Sequence, residues 1–205
     1  AAKQSAQNIA LAELGRQAIM ADPDWRNGAY LQHGVRPARG GAVARTAAQL
    51  AGLSAQDVRT RFEGARTQER FAFNAEGAND TMRPQQGAGF VDRFDANSYL
   101  YLSRAMDGFD LSADFGGRLA NAFQGGSTRH GVFSFSSDWR YPPDDGREIA
   151  RSLAAAGAEA SFLEITSAHG HDAYLGHEPA FEAALTGFID AAASARGLAL
   201  NGGGA

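Results

Sequence analysis

Two short stretches carry the residues able to do chemistry. The first is Thr166-Ser-Ala-His-Gly-His-Asp-Ala-Tyr-Leu175, which places His171 and Asp172 just after the apolar run Ala160 to Ile165. The second is Val132-Phe-Ser-Phe-Ser-Ser-Asp-Trp139, another apolar run, which ends in an acid, Asp138. Both runs read as strands, the later one as a buried strand. An acid leaving one strand and a histidine leaving the next lie at the edge of an α/β sheet where such folds keep their chemistry. Together they make the back half of a nucleophile–histidine–acid triad, in which the acid orients an imidazole that moves a proton. The order is acid, then histidine. No serine with glycine two residues before and two after precedes them; Ser127, in Gly125-Gly-Ser-Thr-Arg129, fails on the second side. His169 competes with His171 for the base role, and the Gly-His-Asp order favours His171. His33, His130 and His177 read as surface or packing residues. His169, His171, Asp172 and His177 also offer zinc-type ligands, but their spacing matches no known cage, so no metal is expected.

The surrounding chain must hold these residues. Helices are expected over Lys3 to Ala21, Gly41 to Leu50, from Ser54 to about Arg70, and from Tyr99 to Met106 behind an Asp95 cap. Ile9, Ala12, Leu14, Ala18 and Ile19 form the apolar stripe of the first, and Asp22-Pro23 stops it. Trp25 to Arg39 and Phe71 to Gly89 read as irregular, and Gly116 to Arg129 as a short helix and a turn. Tyr99, Leu100, Leu102, Ala105 and Met106 form a broad apolar face. The aromatic series Tyr99, Tyr101 and Phe109 reads as packing.

From residue 131 the pattern becomes strand (Gly131 to Phe135), helix (Asp144 to Ala156, stopped by Gly157), strand (Ala160 to Ile165), helix (Pro179 to Ala193). That is the repeat of a parallel sheet covered by helices. Two such strands expect neighbours on both sides, so the chain reads as a helical block followed by the last two β-α units of a larger sheet. The expected division is a core helix over 1–21, a helical region over 22–129, an α/β portion over 130–196 and a tail over 197–205.

Composition narrows the function classes. A net charge of −4 leaves no electrostatic footprint for nucleic acid. No apolar run approaches a spanning helix, and the first residues lack a signal-peptide core, so no membrane partner is expected. The absence of cysteine removes thiol nucleophiles and disulfides and suits a cytoplasmic location.

With these residues assembled, the chain resembles the homoserine O-acyltransferases of the α/β-hydrolase superfamily. The motifs are Gly15-Arg-Gln-Ala-Ile-Met-Ala-Asp-Pro-Asp-Trp25, Arg93-Phe-Asp-Ala-Asn-Ser-Tyr-Leu100 with Arg104-Ala-Met-Asp107, Ser137-Asp-Trp139 with Pro142-Pro143, and Gly170-His-Asp-Ala-Tyr-Leu175. The resemblance runs from about Ala6 to Ile189 and covers the family's C-terminal half or slightly more. It implies an α/β-hydrolase fold with a helical lid, and ping-pong acyl transfer from acetyl-CoA to the L-homoserine hydroxyl through a Ser-Asp-His triad, in methionine biosynthesis. His171 would be the base and Asp138 its partner. Arg45 would hold the substrate carboxylate and Asp172 its ammonium. Arg140 would bear on the choice between acetyl-CoA and succinyl-CoA. No bound cofactor is implied, acyl-CoA being a co-substrate, and the whole protein would be a homodimer. The family's G-x-S-x-G elbow is absent, so the chain is expected to be a C-terminal fragment, inactive alone. Residues Ala75 to Gln85 depart from the family pattern. The competing expectations are an esterase or hydrolase on the same fold and a non-catalytic fragment.

Overall fold

The computed structural model describes residues 2–62 and 94–198. The expected continuation of the third helix to Arg70, the Phe71 to Gly89 irregular stretch and the Ala75 to Gln85 departure lie outside them. The chain divides into two compact units, Lys3–Asp110 and Ala1–Ala2 with Leu111–Ala205.

The first unit is helical. Helix α1, Ala6–Met20, starts where the Ser5 hydroxyl accepts the Asn8 N–H at 3.1 Å. Two 3-10 turns, Pro23–Gly28 and Tyr30–His33, fill part of the stretch read as irregular. Helix α2, Ala38–Gly52, packs on α1. Buried Asp22 joins them: one carboxylate oxygen takes the Asp24 N–H at 3.0 Å, the other the Gly40 N–H at 2.8 Å. Gly40 is required there, because a Cβ would collide with the Ala18 carbonyl and lie 2.7 Å from the Ile19 Cα. Helix α3, Ala55–Phe62, is capped by the Ser54 hydroxyl on the Asp57 N–H. Helix α4, Ala96–Asp107, is capped as expected by Asp95, which accepts the Ser98 N–H at 2.7 Å.

Two apolar readings are corrected. Leu14 is exposed although it belongs to the expected α1 stripe. On α4, Tyr101, Leu102, Met106 and the following Phe109 are all exposed, Tyr101 at 79%. The helix meets α1 along one side, and these four side chains stay exposed. Periodicity marks which residues are apolar; it does not supply the surface that buries them.

The second unit is the expected β-α-β-α run: β1 His130–Phe135, α5 Pro143–Ala155, β2 Ala160–Ile165 and α6 Pro179–Ser194. The strands pair in parallel, His130 opposite Ala160 and Phe135 opposite Ile165. Helix α5 ends at Gly157, whose φ of +76° lets the chain reverse so that the Ala158 N–H meets the Leu153 carbonyl at 3.0 Å. The two faces of β1 take different helices. Val132 and Ser134 face Gly146 of α5. Phe133 and Phe135 on the other face meet Phe181 edge-on, and Phe133 also meets Phe188, both from α6. Before β1 the expected short helix is a 3-10 turn, Leu119–Phe123.

The reading of β2 as a buried strand is corrected. Ile165 is buried, but Leu163 is 44% exposed. Leu163 lies opposite Phe133 on the same face, and the α6 rings that pack on Phe133 leave Leu163 open.

Candidate active site

Both reactive residues stand where their strands end. Asp138 follows β1 by three residues; His171 lies in a 3-10 turn, Gly170–Leu175, beyond β2. Because the strands run in parallel and in register, their ends emerge side by side. Residues 33 positions apart therefore meet: His171 Nδ1 lies 2.8 Å from Asp138 Oδ2.

The geometry fixes the aspartate first. Asp138 is buried. Its Oδ1 accepts two backbone N–H groups, Arg140 at 3.0 Å and Tyr141 at 2.9 Å, which hold the carboxylate plane. Its other oxygen is left for the imidazole. A carboxylate only accepts, so His171 Nδ1 carries the hydrogen and donates it. The lone pair then falls on Nε2, which has no hydrogen-bond partner among the described residues. The histidine side chain is one-quarter exposed, its acid almost fully covered. Tyr141 and Tyr174 flank the ring, with centroids at 5.0 and 5.8 Å. The pair opens on a cleft of about 610 Å³ running along β1 between α5 and α6, lined in part by Val132, Phe135, Tyr141 and Phe181. A base held by a buried acid, with its free nitrogen available to take a proton, can deprotonate a hydroxyl and return the proton to a leaving group.

Asp172 is half-buried beside His171 and has no hydrogen-bond or ion-pair partner among the described residues. The half-buried Arg140 contributes its backbone N–H to Asp138, and its guanidinium lies 5.7 Å from the centre of the Tyr141 ring. Asp138, Arg140, His171 and Asp172 are thus brought together in one unit. Arg45 is half-buried on α2 and belongs to the other unit. Among the remaining histidines, His169 is exposed, His177 pairs with Glu182 at the surface, and His130 meets Phe123. No group of three or more potential metal ligands occurs among the described residues. No helix among them is long and apolar enough to cross a membrane.

Residue types alone did not mark the two tyrosines as flanking the imidazole, nor the serines at the strand ends as partners. Ser136 Oγ takes the Ser167 N–H at 3.1 Å, Ser137 Oγ takes the Gly170 N–H at 3.0 Å, and Ser167 Oγ takes the His169 N–H at 3.2 Å. A signal was present in the run of hydroxyls, Ser136, Ser137, Thr166 and Ser167, on both loops.

No family model matches the chain. It is similar to the homoserine O-acetyltransferase of Mesorhizobium japonicum, 52% identical over 201 residues, which are 96% of this chain and 51% of that protein. It is similar to the homoserine O-acetyltransferase of Caulobacter vibrioides at 53% identity, over 97% of this chain and 53% of that protein. The chain thus spans about half the length of the curated relatives it matches. Among solved structures, the homoserine O-acetyltransferase of Bacillus anthracis superposes with a TM-score of 0.71 at 18% identity, over 83% of this chain and 46% of that one. Esterase E22 superposes with a TM-score of 0.75 at 18% identity, over 92% and 52%. An α/β-hydrolase enzyme from a Medee basin deep-sea metagenome library gives 0.56 at 16%, over 92% and 53%. These likenesses in structure show the fold; the identity of about half over nearly the whole chain shows the kinship. By sequence, then, the chain is a homologue of the homoserine O-acetyltransferases, and its structure is part of an α/β-hydrolase fold.

Proposed function

We propose that the whole protein is a homoserine O-acetyltransferase acting in methionine biosynthesis, and that this chain is its C-terminal portion, with residues 22–129 serving as the helical lid. The observation that carries the reading is the Asp138–His171 pair, 2.8 Å apart at two parallel strand ends, in a chain about half identical to homoserine O-acetyltransferases. The nucleophilic serine would come from the part of the protein that this chain does not contain. His171 Nε2 takes the serine proton as the hydroxyl oxygen attacks the thioester of acetyl-CoA. The carbon–sulfur bond breaks and CoA leaves with that proton. The homoserine hydroxyl then attacks the acyl-enzyme, losing its proton to His171, which returns it to the departing serine. Asp138 stabilises the imidazolium at both stages. Asp172, unpartnered among the described residues, would hold the substrate ammonium, and Arg45 its carboxylate. No bound cofactor is needed in this scheme. A homodimer and a cytoplasmic location belong to the same reading.

Arg140 carries the second reading. It lies close to Tyr141, which itself flanks His171, and a guanidinium there would suit the free carboxylate of a succinyl group. The test is to incubate the whole protein with L-homoserine and either acetyl-CoA or succinyl-CoA. Acetyl transfer, with an acyl-enzyme that forms without homoserine and fails to form in His171→Ala, is expected. Succinyl transfer would move the reading to its alternative. Release of free acid with no acylated homoserine would replace it with a hydrolase.

A further inference from the structure

The acid and the base ride on separate loops, and the peptides next to them are tied in the same way as they are. His171 bonds Asp138; the preceding residue, Gly170, donates its N–H to Ser137 Oγ, on the residue before Asp138. Both bonds span 33 positions, so they form two adjacent rungs between the loops. Four residues before His171 and two before Asp138, Ser167 and Ser136 exchange two bonds, Ser167 N–H to Ser136 Oγ at 3.1 Å and Ser136 O–H to the Ser167 carbonyl at 3.3 Å. That outer rung sets the distance between the strand ends. It does not fix the direction in which the histidine side chain leaves the backbone.

Gly170 decides that direction. It is buried and has a φ of +65°, in the left-handed region that glycine enters freely. A glycine immediately before a base makes the intervening peptide easy to rotate, which works against a fixed ring. The Gly170 N–H has Ser137 Oγ as its acceptor, and this bond anchors the His169–Gly170 peptide, so that only the torsions of Gly170 itself lie between a fixed point and the base. Asp138 on its own side is already held by the Arg140 and Tyr141 N–H groups. His171 is therefore held from two points, its own Nδ1 and the N–H of the residue before it.

We infer that Ser137 is a positioning residue, which orients His171 on Asp138 through the Gly170 N–H. The inference rests on the catalytic role proposed for His171. Displacement of a reacting group by about 1 Å costs on the order of 100-fold in rate.

The test uses the whole protein with nitrogen-15 in its histidine rings. It compares wild type with Ser137→Ala and Ser137→Thr, by thermal midpoint, by steady-state acyl transfer and by the low-field His171 Nδ1–H resonance. Ser137→Ala should lower kcat about 10- to 100-fold. KM for donor and acceptor should stay within about twofold, and the resonance should move or broaden. Ser137→Thr, which keeps the acceptor oxygen, should restore both readouts. Should the alanine variant not fold, Ser137→Cys, of similar size but a poor acceptor, is read in its place. A resonance and a kcat unchanged in Ser137→Ala would overturn the assignment, as would a folded Ser137→Thr that restores neither. If wild type transfers no acyl group, the proposed function fails. The resonance still decides the positioning: movement in Ser137→Ala supports it, and an unmoved signal ends it.

Discussion

Asp172 and Asp138 are 34 residues apart in the chain and share a neighbourhood, yet they do opposite work. Asp138 spends both oxygens inside the protein, on two N–H groups and an imidazole. Asp172 is half-buried with no partner among the described residues. A half-buried carboxylate next to the base, with no neutralising partner among the described residues, favours a cationic ligand. In the proposed reaction that ligand is the homoserine ammonium, which enters only in the second half-reaction. Asp172→Ala in the whole protein should therefore raise KM for homoserine about 10- to 100-fold, from the loss of a charge-assisted hydrogen bond worth about 1.5–3 kcal/mol. Formation of the acyl-enzyme from acetyl-CoA alone should change less than about threefold. A stopped-flow measurement of that first step, beside steady-state kinetics on homoserine, separates the two. Equal loss in both would assign Asp172 to holding the His171 loop instead.

At the scale of elements, the apolar runs and their punctuation were legible in the sequence. Strand Ala160–Ile165 lies where expected, α5 stops at Gly157, and Asp95 caps α4. These features are set within a few residues of sequence, by period, by left-handed glycine and by side-chain capping. The Asp138–His171 pair was legible because residues at the ends of adjacent parallel strands must meet. What was not legible depends on partners distant in sequence. The tyrosines around the imidazole, the serine rungs and the exposure of Leu163 and Tyr101 are examples.

The cap of α4 has such a distant partner too. The hydroxyl of buried Tyr30 donates to Asp95 Oδ2, tying the second 3-10 turn to the start of α4. The Asp95 carboxyl is held below its ordinary range, first by this hydroxyl and then by the Ser98 N–H. The Tyr30 phenol is pushed up, first by burial and then by the bond to Asp95. The signs follow. A depressed acid stabilises the fold above its unfolded value, about pH 4, and that contribution is lost as pH falls through the folded value. A raised phenol stabilises it below about pH 10, and that contribution is lost as pH rises through the folded value. Tyr30→Phe should thus cost about 1 kcal/mol between these limits, Asp95 being exposed and partly screened. The gap from wild type should narrow below about pH 4. Urea unfolding across this range reads it; a gap independent of pH would mean that the hydroxyl acts by packing alone.

For the whole molecule, the open edge of β1 is the feature that most needs an explanation. In a parallel ladder, successive N–H groups of a strand point to alternate sides. The His130 N–H bonds the Glu159 carbonyl and the Ser136 N–H bonds the Ile165 carbonyl, so the even-numbered amides face β2. Gly131, Phe133 and Phe135 therefore present theirs to the other side, where no strand pairs with them among the described residues. There the cleft of about 610 Å³ runs between α5 and α6. Buried sheets of this kind carry strands on both sides of an interior strand, and the chain spans about half the length of its relatives. In the whole protein a further parallel strand would close that edge. Hydrogen exchange tests this amide by amide. In the whole protein, Gly131, Phe133 and Phe135 should be protected as strongly as Val132 and Ser134. In the 205-residue chain alone, the odd-numbered amides should exchange at least about 100-fold faster than the even ones, since only the latter are in a ladder. Equal protection of both sets in the isolated chain would mean that the edge is already covered from within, and the cleft would then be a ligand site in its own right.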